Sequence, residues 1–207
     1  VDQYDKRRLQ PFGETMPFRS FFRMFSEEVD RAGRFVPGRD ATVFAAGGAR
    51  VGMAMCYEVI FDDAVRESVA RGADLIAVPS NNATFGYSEM TFQQLAIDRV
   101  RAVEHGRSVV VPTTSGVSAV IAPDGEVLAS TDMFESAVLV ESVPLWSKLT
   151  VADRLGAAPE YAITIAGVVA LLLWSRRHLR KGRSTADTAP HSDDPGRREH
   201  DTAAHMS

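Results

Sequence analysis

Val51-Gly52-Met53-Ala54-Met55-Cys56-Tyr57-Glu58 is the stretch that decides the architecture. An apolar run ends there and a helical pattern takes over. Phe61, Ala64, Val65 and Val69 recur at helical spacing, Gly72 stops the pattern, and residues 75–78 are apolar again. Buried strand, helix, buried strand is a βαβ unit, which predicts parallel strands with helices packed on a sheet. Cys56, the one cysteine of the chain, falls at the carboxyl end of the first strand. A thiol placed there is held by rigid backbone yet exposed at the sheet edge. A following helix N-terminus would favour both the thiolate and an oxyanion formed beside it. A lone cysteine is also a common small buried hydrophobe, so position alone does not make it a nucleophile.

Outward from this unit the same alternation continues. A helix over residues 90–105 is expected to bury Phe92, Leu95, Ala96 and Val103 and to end at Gly106, with a strand over 108–113 behind it. Residues 117–122 and 126–130 flank Pro123-Asp124-Gly125, a tight-turn signal, and residues 137–143 read as one more strand. The expected fold is α/β, a sandwich in which helices cover a mixed sheet, with no internal repeat. At 207 residues and 45% hydrophobic content the chain can build one sizeable core and a tail. One cysteine rules out an intramolecular disulfide framework, so stability must come from burial. The net charge of −4 conceals an asymmetry: residues 1–174 hold 16 Lys/Arg against 22 Asp/Glu, a net −6. An acidic body argues against nucleic acid as a partner.

The carboxyl-terminal third has a different character. Residues 161–174 carry no charge, and back to Ala157 the run is broken only by Pro159 and Glu160. A helix over 157–174 would reach ~27 Å, near the lower limit for crossing a hydrocarbon core. Trp174 would sit at an interface, and Arg176, Arg177, Arg180, Lys181 and Arg183 would lie on the cytoplasmic side, leaving the acidic body outside. The alternative is a buried terminal helix of a soluble domain. Residues 175–207 read as a polar, disordered cytoplasmic tail whose four His are solvated rather than ligands. The chain opens on Val and directly on a charged motif, without a signal peptide, so a preceding segment is expected.

Several chemistries lack their residues. His105 is the one His before the tail, late in a helix, and reads as structural; no Gly-x-Ser-x-Gly elbow is present. No Cys/His cluster offers a metal site, and no glycine-rich loop precedes a helix in phosphate-binding register, so neither metal nor cofactor is expected. What remains is a lysine with carboxylates. Tyr4-Asp5-Lys6-Arg7-Arg8-Leu9-Gln10-Pro11-Phe12-Gly13-Glu14 sets Lys6 eight residues before Glu14 across a Pro-Phe-Gly turn. Beside Cys56-Tyr57-Glu58, a fixed Lys6 cation can stabilise thiolate and oxyanion while a carboxylate handles the proton.

These elements, with Pro79-Ser-Asn81-Asn82-Ala-Thr-Phe85-Gly86, Arg99-Val-Arg101-Ala-Val-Glu104 and Gly116-Val-Ser-Ala-Val-Ile-Ala-Pro123-Asp-Gly125, resemble the nitrilase, or carbon–nitrogen hydrolase, superfamily. Within it the chain looks like the apolipoprotein N-acyltransferases of bacterial membranes, because Pro-Phe-Gly-Glu, Cys-Tyr-Glu and a terminal apolar helix occur together. The resemblance spans about residues 1–174. It implies a partial nitrilase-like αββα sandwich over 1–150, followed by a transmembrane helix at 157–174 and the tail. It also implies a Glu-Lys-Cys site outside the cytoplasmic membrane, in a protein that is multi-pass at full length. Cys56 would take a fatty acyl chain from a phospholipid donor as a thioester and pass it to the α-amine of a diacylated lipoprotein. By the same matching Lys6 is the catalytic lysine, Glu14, Tyr57 and Glu58 support activity, and Asn81, Asn82 and Phe85 line the substrate pocket. The family's catalytic glutamate precedes the lysine by many tens of residues and has no counterpart here, so this chain alone is expected to be inactive. Relatives often show an Asn pair where this chain has Thr113-Thr114-Ser115.

Two further readings stay open. The same Cys could serve a soluble nitrilase-type amidase acting on small amides, or the chain could be a non-catalytic, membrane-anchored binding remnant. Phe18, Phe21, Phe22, Met24, Phe25 and Phe35 crowd the stretch after the Pro-Phe-Gly-Glu turn, either as a core face or as a lipid-facing arm. Asn82-Ala83-Thr84 matches a glycosylation sequon but reads as pocket lining.

Overall fold

The computed structural model describes residues 3–186, in a body that ends at Ala157 and a helical unit that starts at Ala158. The body is built on one six-stranded sheet whose spatial order equals its chain order: β1 Val43–Ala46, β2 Ala49–Met53, β3 Leu75–Ala77, β4 Ser108–Val111, β5 Ala119–Ile121 and β6 Val127–Ser130. β2, β3 and β4 run parallel, and β1, β5 and β6 are antiparallel to their neighbours. Among the described residues the body also has α1 Arg19–Phe22, α2 Asp62–Ala70, α3 Met90–His105 and α4 Val151–Leu155, and the second unit is α5 Ala158–Ala186.

The βαβ expectation holds. Val51 pairs with Leu75 and Met53 with Ala77, and α2 makes the crossover, burying Ala64, Val65, Ser68 and Val69. Its apolar stripe meets Val59, Ile76, Val78, Val109, Val111 and Ile121 in a single core. Each such aliphatic side chain contributes about 1.5–3 kcal/mol through withdrawal from water. The Pro123-Asp124-Gly125 turn also forms: the Ala122 amide donates to the Glu126 carbonyl at 2.8 Å, and Asp124 Oδ1 accepts from the Glu126 amide at 3.0 Å.

α3 has the expected bounds, and Gly106 ends it in the left-handed region at φ 57°. Its orientation does not follow the expectation. Phe92, Ala96 and Val103 are exposed, and only Leu95 of the anticipated set packs against the core, in part. The inward face is Thr91, Gln94, Asp98, Arg101, Ala102 and His105. Most of these polar groups find partners on neighbouring elements; Asp98 is the exception, with neither oxygen hydrogen-bonded. Arg101 donates to the carbonyls of Val59 and Ile60 at 2.8 and 2.7 Å, and His105 Nδ1 meets Asp153 Oδ1 of α4 at 2.5 Å.

Residues 137–143 join no strand among the described residues; Val138 and Val140 are 88% and 84% exposed. An extended segment becomes a strand only when a neighbour accepts its backbone hydrogen bonds, and neither sheet edge, β1 or β6, does so. At the carboxyl end, Ala158–Arg176 is long and apolar enough to cross a membrane, with a mean hydropathy of 1.5. The helix does not stop at Trp174: α5 continues to Ala186, so the first part of the expected tail is helical. The rest of that tail, residues 187–207, lies outside the described residues.

Candidate active site

Three parallel strands present their carboxyl ends at one edge, and each is followed by a loop that turns over it. After β2 the chain enters a short 3-10 turn, Cys56–Ile60; after β3 come Pro79, Ser80 and Asn81; after β4 come Pro112, Thr113 and Thr114. The loops are laced together through backbone. Cys56 donates to the Pro79 carbonyl at 3.0 Å, Ser80 to that of Pro112 at 2.9 Å, and Thr114 to that of Ser80 at 3.1 Å. Crevices outside the carboxyl ends of parallel strands are where open α/β sheets bind ligands.

Cys56 sits at φ 53°, a left-handed conformation that costs a side-chain-bearing residue about 1–2 kcal/mol. The surrounding hydrogen bonds hold it there. Strain of this kind concentrates where a side chain must be presented at a fixed angle, as in a nucleophile turn.

Glu58, two residues on, is fully buried and is not among the residues that line either cavity at Cys56. Its carboxylate accepts from Met55 N at 2.7 Å, Arg7 N at 2.6 Å, Arg8 N at 2.9 Å and Tyr4 OH at 2.6 Å. Burial, and then the neighbouring Glu58, push the Tyr4 phenol well above its ordinary value, so it remains a donor. Glu58 thereby ties residues 4–8 to the turn that holds Cys56. Arg7 extends the attachment to α2 through Glu67 and the Ala64 carbonyl, and Arg8 pairs with Asp63 while lying 5.6 Å over the Phe61 ring.

The pinned segment carries Lys6. Its Nζ donates to Glu14 Oε1 at 2.7 Å, and Glu14 Oε2 accepts from the Gln10 amide at 2.8 Å. The pair meets because the chain reverses at Pro-Phe-Gly, where Glu14 N and Thr15 N both donate to the Gln10 carbonyl. Gly38 makes room for this arrangement. Its amide donates to the Lys6 carbonyl at 2.8 Å, and a Cβ at that position would stand 2.3 Å from the Asp5 carbonyl oxygen.

Lys6, Glu14 and Cys56 line one cavity of about 950 Å3, together with Phe12, Phe35, Ser80, Asn81, Thr113 and Thr114. The structure thus gathers the lysine, the thiol and one carboxylate. It separates the two expected asparagines. Asn81 lines the cavity, its Oδ1 accepting from Thr114 Oγ1 at 3.0 Å, whereas Asn82 is 2% exposed, turned inward, and donates to Thr91 Oγ1 at 3.2 Å. Phe85 lies outside the large cavity, in a smaller one that Cys56 and Tyr57 also line. Tyr57 packs edge-on against Phe61 at 5.4 Å between centroids.

Sequence reasoning passed over Tyr4, Gln10 and Gln94. Tyr4 stood inside the quoted lysine motif, yet a phenol whose acceptor is 54 positions away leaves no local signal. Gln94 donates to Ser80 Oγ and holds the loop after β3; a Gln among the apolar residues of a helix was the available clue. The phenylalanine segment forms an exposed arm rather than a core face. Phe18, Phe21, Met24, Phe25 and Phe35 are all more than half exposed, and Phe21 packs edge-on against Phe22 and Phe25 at 5.4 and 5.3 Å.

A sheet with its loops gathered over parallel strand ends, a cysteine at positive φ and a lysine in the same cavity make an α/β site fitted for nucleophilic chemistry. Residues 1–147 match the family model for carbon-nitrogen hydrolases, and the chain belongs to that family. Among curated proteins it is similar to the apolipoprotein N-acyltransferase of Mycolicibacterium smegmatis, at 49% identity over 172 residues, covering 83% of this chain and 29% of that protein. The corresponding protein of Shewanella oneidensis is 33% identical over 183 residues, with 85% and 34% covered. The chain therefore spans about a third of the length of the curated relatives it matches. Among solved structures, an amidase from Nesterenkonia sp. AN1 shares 25% identity over 64% of this chain and 48% of that one, with a TM-score of 0.44.

Proposed function

We propose that this chain carries the nucleophile and the lysine of an apolipoprotein N-acyltransferase acting at the outer face of a bacterial cytoplasmic membrane. The supporting observation is the shared cavity of Cys56, Lys6 and Glu14, in a chain similar over most of its length to enzymes of that name. The Cys56 thiolate attacks an ester carbonyl of a phospholipid. A sulfur–carbon bond forms, the ester carbon–oxygen bond breaks, and the lysophospholipid alcohol leaves with the thiol's proton. The α-amine of a diacylglyceryl-cysteine then attacks the thioester: a carbon–nitrogen bond forms, the carbon–sulfur bond breaks, and the proton that the amine loses restores the Cys56 thiol. Lys6 supplies fixed positive charge beside both tetrahedral intermediates, and the Tyr57 amide at the start of the turn is the matching oxyanion donor. Glu14 orients Lys6. Both its oxygens are engaged, so the proton acceptor is not assigned to it.

The test is transfer itself. The protein at full native length, given phospholipid and a diacylated lipopeptide, should add one acyl chain to the peptide by mass spectrometry. Cys56→Ala and Cys56→Ser should abolish the mass shift, and Lys6→Ala should slow it by about 100-fold or more. Transfer that persists without the thiol would end this reading.

A further inference from the structure

Residues 144–157, which lead up to the start of α5, are built inside out. Their polar atoms turn toward the body. Ser108 Oγ donates to the Pro144 carbonyl at 3.0 Å, the buried Arg107 guanidinium to that of Lys148 at 3.0 Å, and Thr150 Oγ1 to that of Glu104 at 2.7 Å. Asp153, the one acid in this stretch, is turned inward too: its carboxylate meets His105 Nδ1 at 2.5 Å and accepts from the Thr150 amide at 2.9 Å. The apolar side chains are left outside. Leu145, Trp146, Leu149, Val151 and Leu155 are between 42% and 71% exposed, and Val151 and Leu155 stand one turn apart on the face of α4 opposite Asp153. The charges that remain outward are both basic: Lys148, whose ammonium lies 5.8 Å from the centre of the Trp146 ring, and Arg154.

We propose that this segment is a membrane-contact surface, lying in the head-group layer of a bilayer that contains anionic phospholipid and setting the body against it. The inference takes from the preceding reading only that the chain is membrane-bound, and it stands whatever bond Cys56 makes or breaks. Two observations choose lipid over a protein partner. The first is continuity. Only Gly156 and Ala157 separate α4 from Ala158–Arg176, the helix long and apolar enough to cross a membrane. A link of that length reaches at most about 11 Å, so where the helix enters a bilayer the segment is at its surface. The second is charge. An acidic body is repelled by anionic lipid except where its acids are withdrawn and its bases presented, and this segment does both. Tryptophan, aliphatic side chains and bases side by side suit the boundary between head groups and acyl chains. Each exposed base favours an anionic over a neutral head group beside it about fivefold.

The test places a photo-crosslinking residue in the protein at full native length, Leu155→p-benzoylphenylalanine, in vesicles of phosphatidylcholine with a minor share of phosphatidylglycerol. After irradiation the peptide that carries the probe is weighed by mass spectrometry. The expected product is a phospholipid adduct, with phosphatidylglycerol enriched about fivefold or more over its share of the vesicle. Lys148→Glu combined with Arg154→Glu should remove the enrichment while the melting temperature holds; should that protein melt early, Lys148→Gln with Arg154→Gln replaces it. A probe that crosslinks to another part of the polypeptide, or to nothing, would overturn the contact, and so would enrichment that survives the loss of both bases. Flotation with the vesicles but no lipid adduct removes the contact and leaves acyl transfer untouched, whereas protein that does not float at all removes the membrane placement as well.

Discussion

Glu58 receives four hydrogen bonds where a general base would need a free oxygen, and its neighbours set what happens when it is changed. Glu58→Gln keeps the shape but turns one acceptor into a donor facing donors. It should destabilise the protein by about 2–3 kcal/mol, read from the denaturation midpoint, and should lower turnover because Lys6 loses its anchorage. Asp98 is a different case: it is fully buried, neither oxygen has a partner, and burial pushes its carboxyl up to about 8. In the unfolded chain the same group ionises near pH 4. The folded protein therefore holds a proton that the unfolded chain has released, and stability falls as pH rises from about 4 toward 8, by at most about 1.4 kcal/mol per pH unit. Asp98→Asn should flatten that slope in thermal melts between pH 5 and 8, and an unchanged slope would refute the assignment. Cys56 and Lys6 were legible in the sequence because motif and position coincide. The partners of Glu58 were not, since a carboxylate next to a cysteine reads the same whether it lines the cavity or is buried beside it.

At the scale of elements, the aromatic arm around α1 has the most to test. Its rings are exposed, touch one another edge-on, and reach the cavity through Phe12, which lies 6.1 Å from Phe22, and Phe35. Exposed apolar clusters of this kind mark contact surfaces, and beside a cavity proposed to take lipid the contact to test is with lipid. Phe21→Ser combined with Phe22→Ser in the full-length protein should weaken lipid affinity and turnover with little effect on the melting temperature. Unchanged lipid affinity and turnover would remove the arm from the mechanism. The bounds of α3 could be read from apolar spacing and Gly106, but its inward face could not. Periodicity assigns polar residues to solvent, whereas Arg101 and His105 go inward to backbone carbonyls and to Asp153. β1 was not anticipated either: its run Val-Phe-Ala-Ala is as long as the one read over 75–78, and what makes it a strand is its antiparallel pairing with β2, which the local pattern does not record.

For the whole molecule, the order of β2, β3 and β4 was legible because βαβ crossovers leave a long-range pattern in one dimension. The fate of residues 137–143 was not, since pairing depends on an edge being available. Glu14 is the one carboxylate among the described residues that lines the Cys56 cavity, and it is committed to Lys6 and Gln10. The 207-residue chain by itself should therefore give no acyl transfer in the mass-spectrometric assay, and robust transfer by it would overturn the missing-base argument. The Glu58 clamp has a further consequence for assembly. Until residues 4–8 have docked, that carboxylate lacks three of its four donors, so the turn that holds Cys56 and the segment that holds Lys6 take their places together. A molecule in which that segment has come loose leaves the sulfur on a turn without its clamp.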